Sequence, residues 1–206
     1  MDTRQYAPAT QRNKEPILKV LKTVITNSSN ILEIASGTGE HAVFFANSFP
    51  SCRWIPSDIN LMARESIIAW KNYVSVDNLE FPLTIDVTED GWSDRLSEQN
   101  VRAIVNINMI HISPWAACLG LLDGAGKLLP EGGFLYLYGP YKRNGKHTAI
   151  SNANFDLNLR DRHADWGIRD LETVIEVAAA ANLRLQEVVE MPANNLSVIF
   201  TKEQKR

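Results

Sequence analysis

The chain has 206 residues, 45% hydrophobic and 22% charged, ordinary values for one globular domain, here 1–206, with a full-sized core. A net charge of -3 argues against a general nucleic-acid binder, and the basic stretch Lys142, Arg143 and Lys146 is short enough to be a solvated loop. Cys52 and Cys118 lie far apart without CxxC or histidine spacing, which excludes a disulfide framework and a zinc site; no metal is expected and a reducing cytoplasm fits. The N-terminus lacks the apolar core of a signal peptide, and no apolar run is long enough to span a membrane. The expectation is a cytoplasmic protein with neither nucleic acid nor membrane as partner; the sequence leaves its oligomeric state open.

Residues 1–29 read as an N-terminal arm and helix. Residues 1–12 are polar, contain Pro8 and are expected to be irregular; Asn13 is the predicted cap, with Pro16 in the first turn. Ile17, Val20, Leu21, Val24 and Ile25 then repeat at helical spacing until Asn27–Asn30 breaks the pattern. A strand is predicted at 31–35, followed by a helix that buries Ala42, Phe45, Ala46 and Phe49 and stops at Pro50. A second strand (52–57) ends at Ser57-Asp58, a helix covers 61–73, and a third strand (81–85) ends at Asp86. The fourth strand is 101–109, Pro114 opens a helix that runs to about 129, and 134–138 is the fifth strand. Residues 140–169 have no clean period and are longer than an ordinary connection, so they are expected to form a lid or insertion. Asp170 caps the last predicted helix, and strands at 183–190 and 196–201 close the chain.

Strands alternating with helices predict an α/β, doubly wound, Rossmann-like sheet of seven strands, mostly parallel. The last two strands are joined too tightly for a parallel crossover, so one of them must run antiparallel. Ligands of such sheets sit beyond the strands' carboxyl ends. That singles out residues 35–40, 58–60, 86–88, 106–111 and 138–141.

The run from Ile31 to Ala46 is a buried strand, a Gly37-Thr-Gly39 turn and a helix start, an arrangement that presents free backbone N–H groups to a nucleotide. Gly37-Thr-Gly39-Glu-His-Ala42 fits the dinucleotide pattern GxGxxG/A, with Asp58 19 residues beyond Gly39, so an NAD(P)-dependent oxidoreductase is one reading. Three features oppose it. Glu33 is acidic inside the first strand, the final hairpin is antiparallel, and the only Tyr-x-x-x-Lys spacing, Tyr138 to Lys142, is interrupted by Gly139-Pro140, which precludes a helix there.

Glu33-Ile-Ala-Ser-Gly-Thr-Gly39 resembles the first motif of the class I S-adenosylmethionine-dependent methyltransferases, an acidic residue followed by GxGxG, with Ala35 in place of the first glycine. The resemblance runs from about Ile31 to Phe200. The segments Asn108–Trp115, Asn154-Phe-Asp156, Trp166–Asp170, Pro192–Leu196 and Arg12-Asn13-Lys14 look more narrowly like a functionally uncharacterised, methyltransferase-like branch. The resemblance implies S-adenosylmethionine as cofactor, S-adenosylhomocysteine as product, and a small-molecule acceptor. The amino-group DNA methyltransferase motif after the fourth strand is replaced here by Asn106-Ile-Asn-Met109. A non-catalytic module that binds S-adenosylmethionine is the alternative.

On this resemblance Glu33, Ala35, Ser36, Gly37 and Gly39 form the cofactor loop, Asp58 receives the ribose, Ile59 is a further cofactor residue, Asp86 with Val87 meets the adenine, and Asn106 lies under the cofactor. Each has a plainer reading: Glu33 as a buried acid satisfied by N–H groups, Asp58 as a helix cap with Asn60 as rival, Asp86 as a turn former. His111 titrates near neutrality and is the candidate base, or else shapes the pocket. Tyr6, Arg12, Asn13, Tyr138, Tyr141, Asn154, Asp156 and Trp166 are the candidate acceptor residues, with a self-packed surface loop as the other reading of the insertion.

Overall fold

The computed structural model describes residues 2–25 and 28–203; Met1 and the predicted break at Asn27 lie outside the described residues. The first helix, α1 (Pro8–Val24), begins well before the expected cap at Asn13. Pro8 takes the first helical turn, where a missing N–H is harmless, and residues 9–15 have no apolar stripe to betray a helix. Pro16 therefore falls inside the helix and leaves the Arg12 carbonyl without its usual donor. Asn13 caps nothing; it is buried, with Oδ1 2.8 Å from His41 Nε2.

Next come β1 (Asn30–Ile34), α2 (Glu40–Ser48), β2 (Arg53–Pro56), α3 (Leu61–Val74), β3 (Val101–Ile107), α4 (Trp115–Leu128) and β4 (Phe134–Gly139), all near their expected places. The predicted insertion contains a hairpin of β5 (Tyr141–Arg143) and β6 (Lys146–His147), then α5 (Ile150–Arg162) and β7 (Arg169–Asp170). The chain closes with α6 (Leu171–Ala180), β8 (Leu183–Met191) and β9 (Asn195–Lys202). Among the described residues no helix is long and apolar enough to cross a membrane.

The main sheet has six strands in the order β2-β1-β3-β4-β9-β8, and β5, β6 and β7 form a separate small sheet. β2, β1, β3 and β4 are parallel; β9 runs antiparallel to both of its neighbours, as the tight hairpin requires. The expected third strand, at 81–85, which would have made seven, is reduced to two isolated parallel bridges, Trp54 with Leu79 and Ser57 with Leu83. Two prolines explain the loss. The segment starts a ladder beside β2, with Trp54 N–H donating to the Asn78 carbonyl and Glu80 N–H to the Trp54 carbonyl. The next donors fall at Pro56 and Pro82, which have none, and pairing resumes one residue out of step when Leu83 N–H reaches the Pro56 carbonyl at 2.9 Å.

Both sheet faces are covered. Leu32, Ile34 and Ile104 pack into one core with α4 and α6, while Ile31, Ala103 and Val105 pack into the other with α1 and α2. This alternation puts Glu33 on the α1–α2 side, 2% exposed, where its carboxylate accepts the Trp54 indole N–H at 2.7 Å. Burial lifts the Glu33 pKa to about 7, against the opposing pull of the Trp54 and Ser36 hydrogen bonds. On the other side α4 lies so close to the segment after the failed strand that a Cβ at Gly120 would overlap the Val87 carbonyl oxygen.

Two stability predictions follow from these contacts. Because the folded-state Glu33 pKa is raised, the folded protein holds more protons than the unfolded chain between pH ~4.5 and ~7, so stability falls as pH rises through that window, by about 3 kcal/mol in all. Glu33→Gln keeps an acceptor for Trp54 and has nothing to ionise. Urea titrations should find it more stable than the parent at pH 8, with the difference shrinking toward pH 5. Gly120→Ala should cost about 1–3 kcal/mol by the same assay, since backbone must move to admit one methyl; an unchanged midpoint would contradict the α4 packing.

Candidate functional site

β1 is followed by α2 on one face and β3 by α4 on the other, so a crevice opens between them at their carboxyl ends. Ala35 leaves β1 in the left-handed region (φ 57°), a conformation that costs a non-glycine residue about 1–2 kcal/mol. The alanine thus holds the backbone shape that glycine supplies at this point of the motif it resembles. Gly37 is also left-handed, and a Cβ there would meet nothing within 4 Å: open space faces the loop. Gly39 (φ 85°) starts α2, and a Cβ there would press on Ile67 Cα at 2.9 Å, which fixes α3 against the loop.

Asp58, just past β2, binds this loop: its Oδ2 accepts Gly37 N–H at 2.9 Å and its Oδ1 accepts Asn60 N–H at 2.8 Å. Asn60, not Asp58, caps α3, accepting the N–H groups of Met62 and Ala63. Ser36 and Ser57 complete the seam, with Ser36 N–H to the Ser57 carbonyl at 2.8 Å and Ser57 N–H to Ser36 Oγ at 3.2 Å. Ile59 is 63% exposed beside them. Asp86 folds its own turn, with one carboxylate oxygen accepting both the N–H and the hydroxyl of Thr88, while Val87 is buried against the core.

Asn106, fully buried near the end of β3, donates from Nδ2 to the Ile34 carbonyl at 2.9 Å; its Oδ1 has no partner. Two residues on, Asn108 is left-handed (φ 65°) and turns the chain toward His111. His111 is completely buried, edge-on to Tyr141 with ring centroids 5.1 Å apart, and neither ring nitrogen has a partner. Burial, with some help from the charge of Arg169, pushes its pKa down to about 3, so the imidazole is neutral at physiological pH. It lies outside the lining of the neighbouring cavity.

That cavity, of about 660 Å³, opens beside the Asn108 turn. Its walls are α1 (Arg12, Asn13), the ends of β3 and β4 (Asn108, Ile112, Tyr138), α5 (Asn152, Phe155) and the β8–β9 turn (Asn194, Asn195). The α1 wall is anchored by Glu40, buried at the start of α2, whose carboxylate accepts Ala7 N–H at 2.5 Å and the Gln11 amide at 3.0 Å. The α5 wall is anchored by Asp156, 5% exposed. It accepts Ile168 N–H at 2.6 Å and faces Lys142, His147 and Arg160 at 3.2, 3.3 and 3.3 Å. The Ile168 hydrogen bond and the neighbouring cations hold the Asp156 pKa below the ordinary carboxylate value despite its burial.

The expected cofactor residues Glu33, Ala35, Ser36, Gly37, Gly39, Asp58, Ile59 and Asn106 therefore cluster at adjoining strand ends, and Asp86 and Val87 lie on the segment that pairs beside β2. Of the expected acceptor residues, Arg12, Asn13 and Tyr138 line the cavity. Five do not. Tyr6 is exposed against Trp70, Tyr141 is sealed beneath His111, Asn154 is on the outer face of α5, Asp156 is buried on α5, and Trp166 stacks on His163. Unforeseen as lining are Asn194 and Asn195, brought in by a turn with left-handed Ala193 and Asn194; the Pro-Ala-Asn-Asn run was the available signal.

The fold is shared with solved methyltransferases. An O-methyltransferase family protein from Burkholderia thailandensis superposes with a TM-score of 0.81 at 13% identity, over 96% of this chain and 58% of that one. An O-methyltransferase family 2 protein from Planctomyces limnophilus, in complex with apigenin, gives 0.77 at 20% identity over 92% and 56%. Human N-acetylserotonin methyltransferase, in complex with S-adenosylmethionine, gives 0.75 at 14% identity over 95% and 53%. At such identities the likeness is one of fold, and this chain spans little more than half the length of each of these proteins. Residues 4–202 match the family described as protein of unknown function (DUF938), and the chain belongs to that family.

Proposed function

We propose that this chain is an S-adenosylmethionine-dependent methyltransferase acting on a small molecule held in the cavity between α1, α5 and the β8–β9 turn. The observation that carries the reading is the adjacency of two spaces: Asn106 ends the crevice of β1 and β3, and Asn108, two residues later, lines the cavity. The residues fit the cofactor. Gly37 faces open space, Asn106 Oδ1 is a buried acceptor without a donor, and each Asp58 oxygen has taken a single backbone N–H, leaving lone pairs for ribose hydroxyls. Ile59, Asp86 and Val87 would hold the adenine end.

When bound, S-adenosylmethionine supplies a methyl group already activated on a sulfonium and leaves as S-adenosylhomocysteine. The chain's own contribution is then alignment and exclusion of water. Asn108 and Tyr138 set the inner end of the cavity, and α1 and α5 close its sides. A base is not part of this reading, because His111 is sealed and neutral and, among the described residues, neither Asp, Glu, Lys, Cys nor His lines the cavity.

Calorimetric titration tests the proposal. S-adenosylmethionine and S-adenosylhomocysteine should bind with Kd of order ~1–100 μM, which is about −8 to −5 kcal/mol. Asp58→Ala and Asn106→Leu should each weaken them at least about tenfold. NAD or NADP binding in place of the adenosyl ligands would overturn the reading in favour of an oxidoreductase, and adenosyl binding without turnover on any acceptor would leave a cofactor-binding module.

A further inference from the structure

The cavity has an unusual charge pattern. Among the described residues, Arg12 is the one basic or acidic side chain in its lining. Its guanidinium makes no ion pair or hydrogen bond within the described chain. The carboxylates that fasten the two helical walls are committed elsewhere: Glu40 holds Ala7 and Gln11, and Asp156 holds Lys142, His147, Arg160 and Ile168. The tyrosine that lines the cavity, Tyr138, is neutral, since burial raises its pKa further above 10.

The remaining walls are apolar or amide. Ile112, Phe155 and Tyr138 present flat or branched apolar surface. Two of the lining asparagines have spent their donors: Asn152 Nδ2 bonds the Asn194 carbonyl at 3.0 Å, and Asn195 Nδ2 bonds the Pro192 carbonyl at 3.0 Å. Neither can therefore serve a carboxylate well. Arg12 is left as the strong donor, and a fork of parallel N–H groups is matched by a planar carboxylate.

We propose that the cavity takes a small carboxylic acid with an apolar or aromatic body, its carboxylate read by Arg12. This deepens the proposed function and rests on it in calling the ligand a methyl acceptor; the binding preference is measurable without cofactor. Arg12 is a specificity-determining residue in this scheme. Filling the cavity strips water from the guanidinium, and only an anion compensates that loss, so a neutral isostere leaves a desolvated charge unpaired.

The test uses the full chain and two probe pairs, 3-phenylpropanoate with 3-phenylpropanamide and indole-3-acetate with its primary amide, followed by ligand-observed NMR titration. In the parent protein at least one carboxylate should bind about tenfold tighter than its amide, a difference of about 1.4 kcal/mol. Arg12→Gln should abolish that preference, and Arg12→Lys, which keeps the charge and loses the fork, should retain part of it. Arg12 is exposed and unpaired, so both variants should melt with the parent. Equal binding within both pairs, or a preference that survives in Arg12→Gln, would overturn the inference. Carboxylate selectivity without S-adenosylhomocysteine binding would remove the methyltransferase reading and leave the site standing; S-adenosylhomocysteine binding without selectivity would do the reverse.

Discussion

The hydrogen bond from the Asn106 amide to the Ile34 carbonyl marks the point on which the molecule's organisation turns. Up to Ile34 and Asn106, β1 and β3 are locked by a parallel backbone ladder. Beyond it the chain must leave β1 toward α2 and β3 toward α4, on opposite faces of the sheet, and no further backbone pairing between them is possible. A side chain closes the ladder instead, and its other atom, Oδ1, is left bare in the interior. A buried acceptor without a donor costs about 1–3 kcal/mol. Together with left-handed Ala35, it concentrates local cost at one end of an otherwise well-satisfied sheet, which is where ligand sites are commonly built.

Asp58 shows how that end is kept in shape. Its two oxygens join the glycine loop to the start of the β2–α3 connection, so the loop is set by a neighbouring strand as well as by its own glycines. Glu33 works from below. It is an acid held among Trp54, Ser57 and Ser36, and its burial means that the floor of the loop changes charge near neutral pH. The Ser57 hydroxyl donates to the Glu33 backbone carbonyl at 2.7 Å, so the β1 and β2 ends move together.

The parallel core was legible in the sequence because its signal is hydrophobic alternation and strand–turn–helix punctuation, and both depend on local residue types. That one strand of the closing hairpin runs antiparallel followed from loop length alone; that it is β9 did not. The expected third strand was misread because residues 81–85 have strand-like neighbours while the decisive feature is absent donors at Pro56 and Pro82, on two different segments that only the fold brings together. Helix α5 was missed for another reason. Its buried positions Asn152, Asp156 and Leu159 recur at helical spacing, but two of the three are polar, so a search for apolar periodicity passes over them. The first turns of α1 were hidden in the same way, by Thr10 and Asn13 as the buried face. The residues gathered at the strand ends were readable from one contiguous motif and the ends of strands. The cavity-lining residues come from five separate segments, and a tyrosine or tryptophan in the insertion gave no sign of whether it faced the cavity or packed beneath it.

Those polar buried faces share a purpose. Helices α1 and α5 are not part of the alternating sheet pattern, yet they supply two walls of the cavity. Each is fastened to the core by one buried carboxylate with several donors, Glu40 for α1 and Asp156 for α5. Directional bonds of this kind fix a helix in one register, whereas an apolar contact tolerates sliding; the gain is positional accuracy at an edge where little apolar area is available. The arrangement also separates tasks. The sheet and its glycine loop hold whatever binds at the strand ends, and the fastened walls set what fits beside it. Substitutions on the cavity side of α1 or α5 can then alter the second choice without disturbing the first, because the anchors lie on different residues from the lining: Glu40 is not a wall residue, and Asp156 is buried outside the lining to which Asn152 and Phe155 belong.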